Sequence, residues 1–143
     1  MQAPLPKAGH HSRAAQLHQL GEWHRASAQR IGLAAKAQAQ SNQLSQVELR
    51  KLELARAMAA RPKLLISDEA MAGLAGAEVD EVLRILFDLN ARGITIIMIE
   101  HIMQAVMRFS QRVICLDAGK IICEGTPQTI VQNPDVQKAY LGA

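Results

Sequence analysis

Two adjacent carboxylates, Asp68 and Glu69, follow the run KLLIS at residues 63–67, and an imidazole, His101, follows a second apolar run, GITIIMIE, at residues 93–100. Paired acids can hold a metal ion or polarise a water, provided the fold exposes them where a ligand can reach. A short apolar run such as Leu64–Ile66 reads as a strand buried on both faces of a parallel sheet. In such sheets ligands collect where the carboxyl ends of the strands open onto solvent. The alternative is a strand that merely ends in a solvated acidic turn, and this run alone does not decide between them.

The elements between the acids and the histidine settle how they can meet. Residues 78–89 carry Val79, Val82, Leu83, Leu86 and Leu89 on one face and Asp80, Glu81, Arg84 and Asp88 on the other, the spacing of an amphipathic helix. Gly93 closes it. Strand, helix, strand is a βαβ unit, whose strands run parallel with a right-handed crossover. Both carboxyl ends then lie on one edge of the sheet. Topology alone therefore brings Asp68, Glu69 and His101 to a common rim.

Upstream, Ser45, Gln46, Val47 and Glu48 spell a capping box, with Ser45 and Glu48 satisfying each other's backbone amides. The helix that begins there shows Val47, Leu52, Leu54, Ala55, Met58 and Ala59 as an apolar arc, with Arg50, Glu53 and Arg56 spaced for surface pairing. It must stop before Pro62. A helix N-terminus can seat an anion such as a phosphate; the plain alternative is a cap and nothing more.

Downstream, a short helix over 103–109 leads to strands at 112–116 and 121–124, joined by Asp117–Lys120 as a hairpin turn. In that register Cys115 lies opposite Ile122, so a disulfide between Cys115 and Cys123 is not expected. Neither cysteine has metal-ligand spacing. Thr126-Pro127 and Asn133-Pro134 each start a helical turn, and Gly142 ends the last one.

The 143 residues, 49% of them hydrophobic, suffice for one domain with a core, which aliphatic side chains must fill because aromatics are 3%. The net charge of +3 does not point to nucleic acid. Lys7, Arg13, Arg25, Arg30 and Lys36 face only Glu22 within residues 1–43, which reads as a solvated basic arm. His10, His11, His18 and His24 in this region match no established metal-site spacing. A weak helical pattern runs from Trp23 to Leu33, and before it poor order is expected. No stretch reaches the length of a membrane span, and no signal-type apolar core opens the chain.

In order, LSQVELRKLELARAM, RPKLLISDEAMAGL, GITIIMIEH and RVICLDAGKIICEGTP resemble the C-terminal half of an ABC-transporter ATPase. The closing DVQKAYLG and the MAGL after the acids look most like cassettes of branched-chain amino-acid importers. The resemblance spans roughly residues 30–141. It implies an α/β fold, a partial P-loop ABC ATPase core with a mostly parallel sheet, a terminal β-hairpin and part of the helical subdomain. It also implies three regions: a poorly ordered or non-family arm over residues 1–29, part of the helical subdomain with the signature helix over 30–62, and the distal half of the core over 63–143.

The same resemblance implies roles. Ser45, Gln46, Val47 and Glu48 occupy the signature position, which faces the nucleotide of a second ABC ATPase subunit. Asp68 takes the Walker B place and holds Mg²⁺ through water; Glu69 takes that of the general base, and His101 that of the switch histidine. The cofactors implied are ATP and Mg²⁺. The partners implied are transmembrane permease subunits and a second ATPase, on the cytoplasmic face of the cell membrane, with no nucleic acid.

The departures are as informative. Gln46, Val47 and Glu48 stand where the family has two glycines and Gln. Ala70 replaces a proline, and Ala75 replaces a polar residue that speaks across the dimer. The chain contains no G-x-x-x-x-G-K-[ST]; its only Gly-Lys, Gly119-Lys120, is followed by Ile121. That loop is what holds the β- and γ-phosphates. Two functions are therefore expected in competition: a truncated ATP-binding subunit of an importer, or a non-catalytic module that complements a full cassette or a permease.

Overall fold

The computed structural model describes residue 29 and residues 31–141. The four N-terminal histidines, nearly all of the arm, most of the helical pattern from Trp23 and the stop at Gly142 lie outside the described residues. The chain divides into two compact units, Met1–Arg61 and Pro62–Ala143.

In the first unit, single 3-10 turns at Ala34–Lys36 and Ser41–Gln43 lead into helix α1, Gln46–Ala59. Ser45 Oγ accepts the Glu48 N–H at 3.4 Å, and Glu48 Oε2 accepts the Ser45 N–H at 2.9 Å. Two orphan donors of the first turn are thereby satisfied reciprocally. The helix ends at Ala59, with Ala60 as its C-cap two residues before Pro62, where the proline ring excludes a helical predecessor. Val47, Leu54 and Ala55 are buried as the arc requires; Lys51, outside that arc, is buried too. Arg50 pairs with Glu53 at 3.1 Å on the surface.

The second unit is built on the expected βαβ. Strand β1, Leu64–Asp68, and strand β2, Thr95–Ile99, pair in parallel from Leu64 opposite Thr95 to Asp68 opposite Ile99. Helix α2, Gly76–Ala91, connects them. Ala75 has no side chain to cap it, yet Glu78 Oε2 still accepts the Ala75 N–H at 2.8 Å. Val79, Val82, Leu83, Leu86 and Leu89 are all buried, and each such side chain removed from water favours the fold by about 1.5–3 kcal/mol. Past α2 the chain turns at Gly93, whose φ of +88° suits a residue without Cβ. Helix α3, Met103–Phe109, lies against α2, with the Phe109 and Phe87 rings 5.0 Å apart and Arg108 paired to Asp80.

Strands β3, Val113–Asp117, and β4, Lys120–Gly125, form an antiparallel hairpin separate from β1 and β2. Its two-residue turn, Ala118-Gly119, has both φ values positive, +46° and +78°, the conformation that matches the twist of paired strands. Asp117 pairs with Lys120 and Leu116 with Ile121, as the expected register requires. A register shift between Cys115 and Leu116 then sets Cys115 opposite Cys123, not opposite Ile122. The extra residue of a bulge on β4 corrects the expectation, because it moves every later partner by one. Helix α4, Pro127–Gln132, follows with Thr126 as cap; helix α5, Pro134–Val136, capped by Asn133, runs into a π-helical turn at Gln137–Leu141.

One expectation fails outright. β1 is covered on one face only: Leu65 and Ser67 are buried, whereas Leu64 and Ile66 are 47% and 59% exposed. Ile97 and Ile99 on β2 are 47% and 50% exposed, and residues two apart on paired strands share a face. The result is an open apolar face, because no described element closes over it. The hairpin repeats the pattern with Ile114, Leu116 and Ile121.

Candidate functional site

The carboxyl ends of β1 and β2 do meet at one rim. Asp68, the last residue of β1, is paired with Ile99, the last of β2, and is exposed. Glu69 continues the alignment by donating its N–H to the Ile99 carbonyl at 2.9 Å. His101 follows two residues later, its Nδ1 3.6 Å from Glu69 Oε1, with both side chains about three-fifths exposed. Asp68, Glu69 and His101 thus occupy the common edge expected from topology. When His101 is protonated, the pair is an ion pair in water, worth little to stability.

Glu69 adopts φ +44°, a left-handed conformation rare for a residue with a side chain and held only where surroundings over-determine it. Three bonds do so besides the one to Ile99. Ala72 N–H donates to the Glu69 carbonyl at 3.1 Å, and Leu74 N–H to the Met71 carbonyl at 3.2 Å. Met71 N–H donates to Glu100 Oε1 at 3.0 Å, and the Met71 side chain is fully buried. The turn after β1 is therefore clamped to the end of β2 through Glu100.

Glu100 is the residue that sequence reasoning missed. It reads as one more acid at the end of a strand, and nothing in its neighbourhood of sequence announces an amide 29 positions away. Its second oxygen, Oε2, is buried and without a hydrogen-bond partner among the described residues.

At the other proposed element, the α1 cap, the side chains are occupied by structure. Glu48 accepts the Ser45 amide and also the Lys36 Nζ at 2.7 Å. The Lys36 ammonium, and after it the Ser45 amide, hold the Glu48 carboxyl below its ordinary range. Gln46 and Val47 follow as the first helical residues, Val47 buried and Gln46 exposed.

The rim fits a hard divalent cation in one specific way. Mg²⁺ takes one or two carboxylates and completes its shell with water and phosphate oxygens, which the exposed Asp68 can serve. Among the described residues no group of three or more ligating side chains forms a complete protein cage. The nucleotide fits less well, since the sequence has no glycine-rich phosphate loop with its lysine. Among the described residues no helix is long and apolar enough to cross a membrane.

Comparison with known proteins agrees with this architecture. A solved cassette in its ADP conformation, MJ1267, an ATP-binding cassette of an ABC transporter, superposes with a TM-score of 0.82 at 23% identity, over 99% of this chain and 54% of that one. A nucleotide-free ATP-binding cassette from an ABC transporter gives 0.82 at 24% identity, over 87% of this chain and 51% of the other. The fold is thus that of part of an ABC-type ATP-binding cassette.

The sequence narrows the class. The family described as "Branched-chain amino acid ATP-binding cassette transporter" matches residues 120–143. The high-affinity branched-chain amino acid transport ATP-binding protein LivG of Escherichia coli is 41% identical over 115 residues, 80% of this chain and 45% of LivG. BraF of Pseudomonas aeruginosa, which bears the same description, is 37% identical over 113 residues, 78% of this chain and 44% of BraF. The chain is thus similar to ABC-transporter ATP-binding proteins of the branched-chain amino-acid type, and spans about 45% of the length of these relatives.

Proposed function

We propose that this chain is the distal half of an ATP-binding subunit that couples ATP hydrolysis to uptake of branched-chain amino acids or similar solutes. The observation that carries the proposal is the juxtaposition of Glu69 and His101 at 3.6 Å, on the rim where Asp68 ends β1. In this reading Asp68 holds Mg²⁺ through water, Glu69 orients and deprotonates the attacking water, and His101 senses the terminal phosphate. Such an arrangement suits phosphoryl transfer, where positioning and charge stabilisation carry most of the catalysis. Ser45, Gln46, Val47 and Glu48 face the nucleotide of a second ATPase subunit. The assembly sits on permease subunits at the cytoplasmic face of the membrane.

The gripping of ATP falls to a phosphate loop that this sequence does not contain. The exposed row of Leu64, Ile66, Ile97 and Ile99 supports the same reading, since a face of that kind needs a cover. The missing loop also favours a second reading, in which the chain is a non-catalytic module that lends its surface to a complete cassette or permease. Equilibrium dialysis of radiolabelled ATP with Mg²⁺ separates the readings. The chain alone retains no nucleotide in either case. Mixed with a polypeptide bearing the phosphate-loop half of a LivG-type cassette, it forms a nucleotide-binding complex under the first reading. Under the second it associates only with an intact cassette or permease.

A further inference from the structure

Cys115 and Cys123 face each other across the β3–β4 hairpin, and neither is in a disulfide. Directly opposed residues of antiparallel strands project to the same side with Cα atoms roughly 4.5–5.5 Å apart. That spacing falls within the roughly 4.4–6.8 Å that a disulfide spans. Both thiols are half-buried, on the opposite side of the hairpin from the exposed Ile114 and Leu116. Asn133 Nδ2 donates to Cys123 Sγ at 3.3 Å, a contact that Cys115 lacks among the hydrogen bonds of the described residues. Burial, and secondarily the charge of Cys123, pushes the Cys115 thiol up. The two thiols are therefore partners across the hairpin in unequal surroundings.

We propose that Cys115 and Cys123 form a redox-modification site, a cross-strand dithiol that a low-molecular-weight disulfide such as glutathione disulfide closes into an intrachain disulfide. Cys123 is the attacking sulfur. Its thiolate displaces one glutathione thiolate and leaves a mixed disulfide on Cys123; Cys115 then gives up its proton to solvent and attacks the Cys123 sulfur, expelling the second glutathione. The dithiol loses two electrons and two protons, and one glutathione disulfide becomes two molecules of glutathione. Closure locks the bulged register of the hairpin, which otherwise rests on its backbone pairing and the Arg112–Glu124 ion pair at 2.7 Å.

The test uses the full chain, reduced and then exposed to glutathione buffers of increasing oxidised fraction, trapped by alkylation and digested with trypsin. Cleavage after Arg112, Lys120 and Lys138 places the cysteines in separate peptides, 113–120 and 121–138. The proposal expects these two peptides linked, to an extent independent of protein concentration. Two separate glutathione adducts, links between chains, or thiols that stay alkylatable throughout would each overturn it. In denaturant the equilibrium constant for closure against glutathione falls at least about tenfold, because the fold sets the pair's geometry; an unchanged constant contradicts that. Cys115→Ser traps a single glutathione on Cys123, while Cys123→Ser reacts at Cys115 at least about tenfold more slowly. Equal rates for the two variants would remove Cys123 as the attacking sulfur.

Discussion

Glu100 and Met71 are joined by a 3.0 Å hydrogen bond from the Met71 amide to the Glu100 carboxylate, and that contact, together with the Glu69 N–H bond to the Ile99 carbonyl, fastens the turn carrying Glu69 to the strand end carrying His101. Glu100→Ala leaves a backbone donor without its acceptor beside a fully buried side chain. The expected loss is about 1–3 kcal/mol of stability, read from urea unfolding. Glu100→Gln keeps an acceptor oxygen and loses less. Hydrogen exchange at the Met71 amide separates the two directly, with protection gone in Glu100→Ala and retained in Glu100→Gln.

The buried and exposed apolar residues of the second unit should respond in opposite ways. Leu86 has no exposure, so Leu86→Ala opens a cavity at a cost of about 2–5 kcal/mol. Ile66 is 59% exposed, and Ile66→Thr changes stability by no more than about 0.5 kcal/mol. It should instead weaken concentration-dependent self-association measured by sedimentation, since it breaks the open apolar row. Equal destabilisation by both substitutions would mean that the β1 face is covered.

The Lys36–Glu48 pair predicts one arm of the acid response. Glu48 has a folded-state pKa below its ordinary value of 4.5, so its contribution favours the folded chain above that pH and is lost as pH falls through the lowered folded value. The pair lies at the surface, with the Lys36 side chain 46% and the Glu48 side chain 19% exposed, and salt should weaken the effect. In a carbon-detected NMR titration the Glu48 midpoint lies below that of an isolated glutamate, and Lys36→Gln raises it. A midpoint unmoved by Lys36→Gln would assign the shift to the Ser45 amide alone.

Ser45 is expected to matter to α1 as a cap. Ser45→Ala removes the acceptor for the Glu48 amide and costs about 0.5–2 kcal/mol, seen as lower helicity by circular dichroism. Ser45→Asp keeps the acceptor and should preserve it.

Much of this molecule was legible because local rules and tertiary structure agree in it. The five apolar positions from Val79 to Leu89 announced the buried stripe of α2, and Ser45 with Glu48 announced the start of α1. Parallel topology placed Asp68, Glu69 and His101 together without any knowledge of side-chain geometry. What escaped was non-local or single-residue in origin. The register shift that pairs Cys115 with Cys123 depends on one extra residue in β4, and alternation cannot reveal it. The Glu100–Met71 bond joins atoms on different elements. The openness of Leu64 and Ile66 depends on what lies above them, and an apolar run reads the same whether its second face is covered or bare.

The central claim is that Asp68, Glu69 and His101 form a hydrolytic rim awaiting a nucleotide held by another segment. Its most direct test is phosphate release from Mg-ATP by this chain, alone and combined with the phosphate-loop half of a LivG-type cassette, each with and without Glu69→Gln. The account predicts no release by the chain alone, release by the combination, and a loss of about 10²-fold or more on Glu69→Gln, the scale of a general base. Release by the chain alone, or a combination in which Glu69→Gln turns over like the wild type, would contradict it.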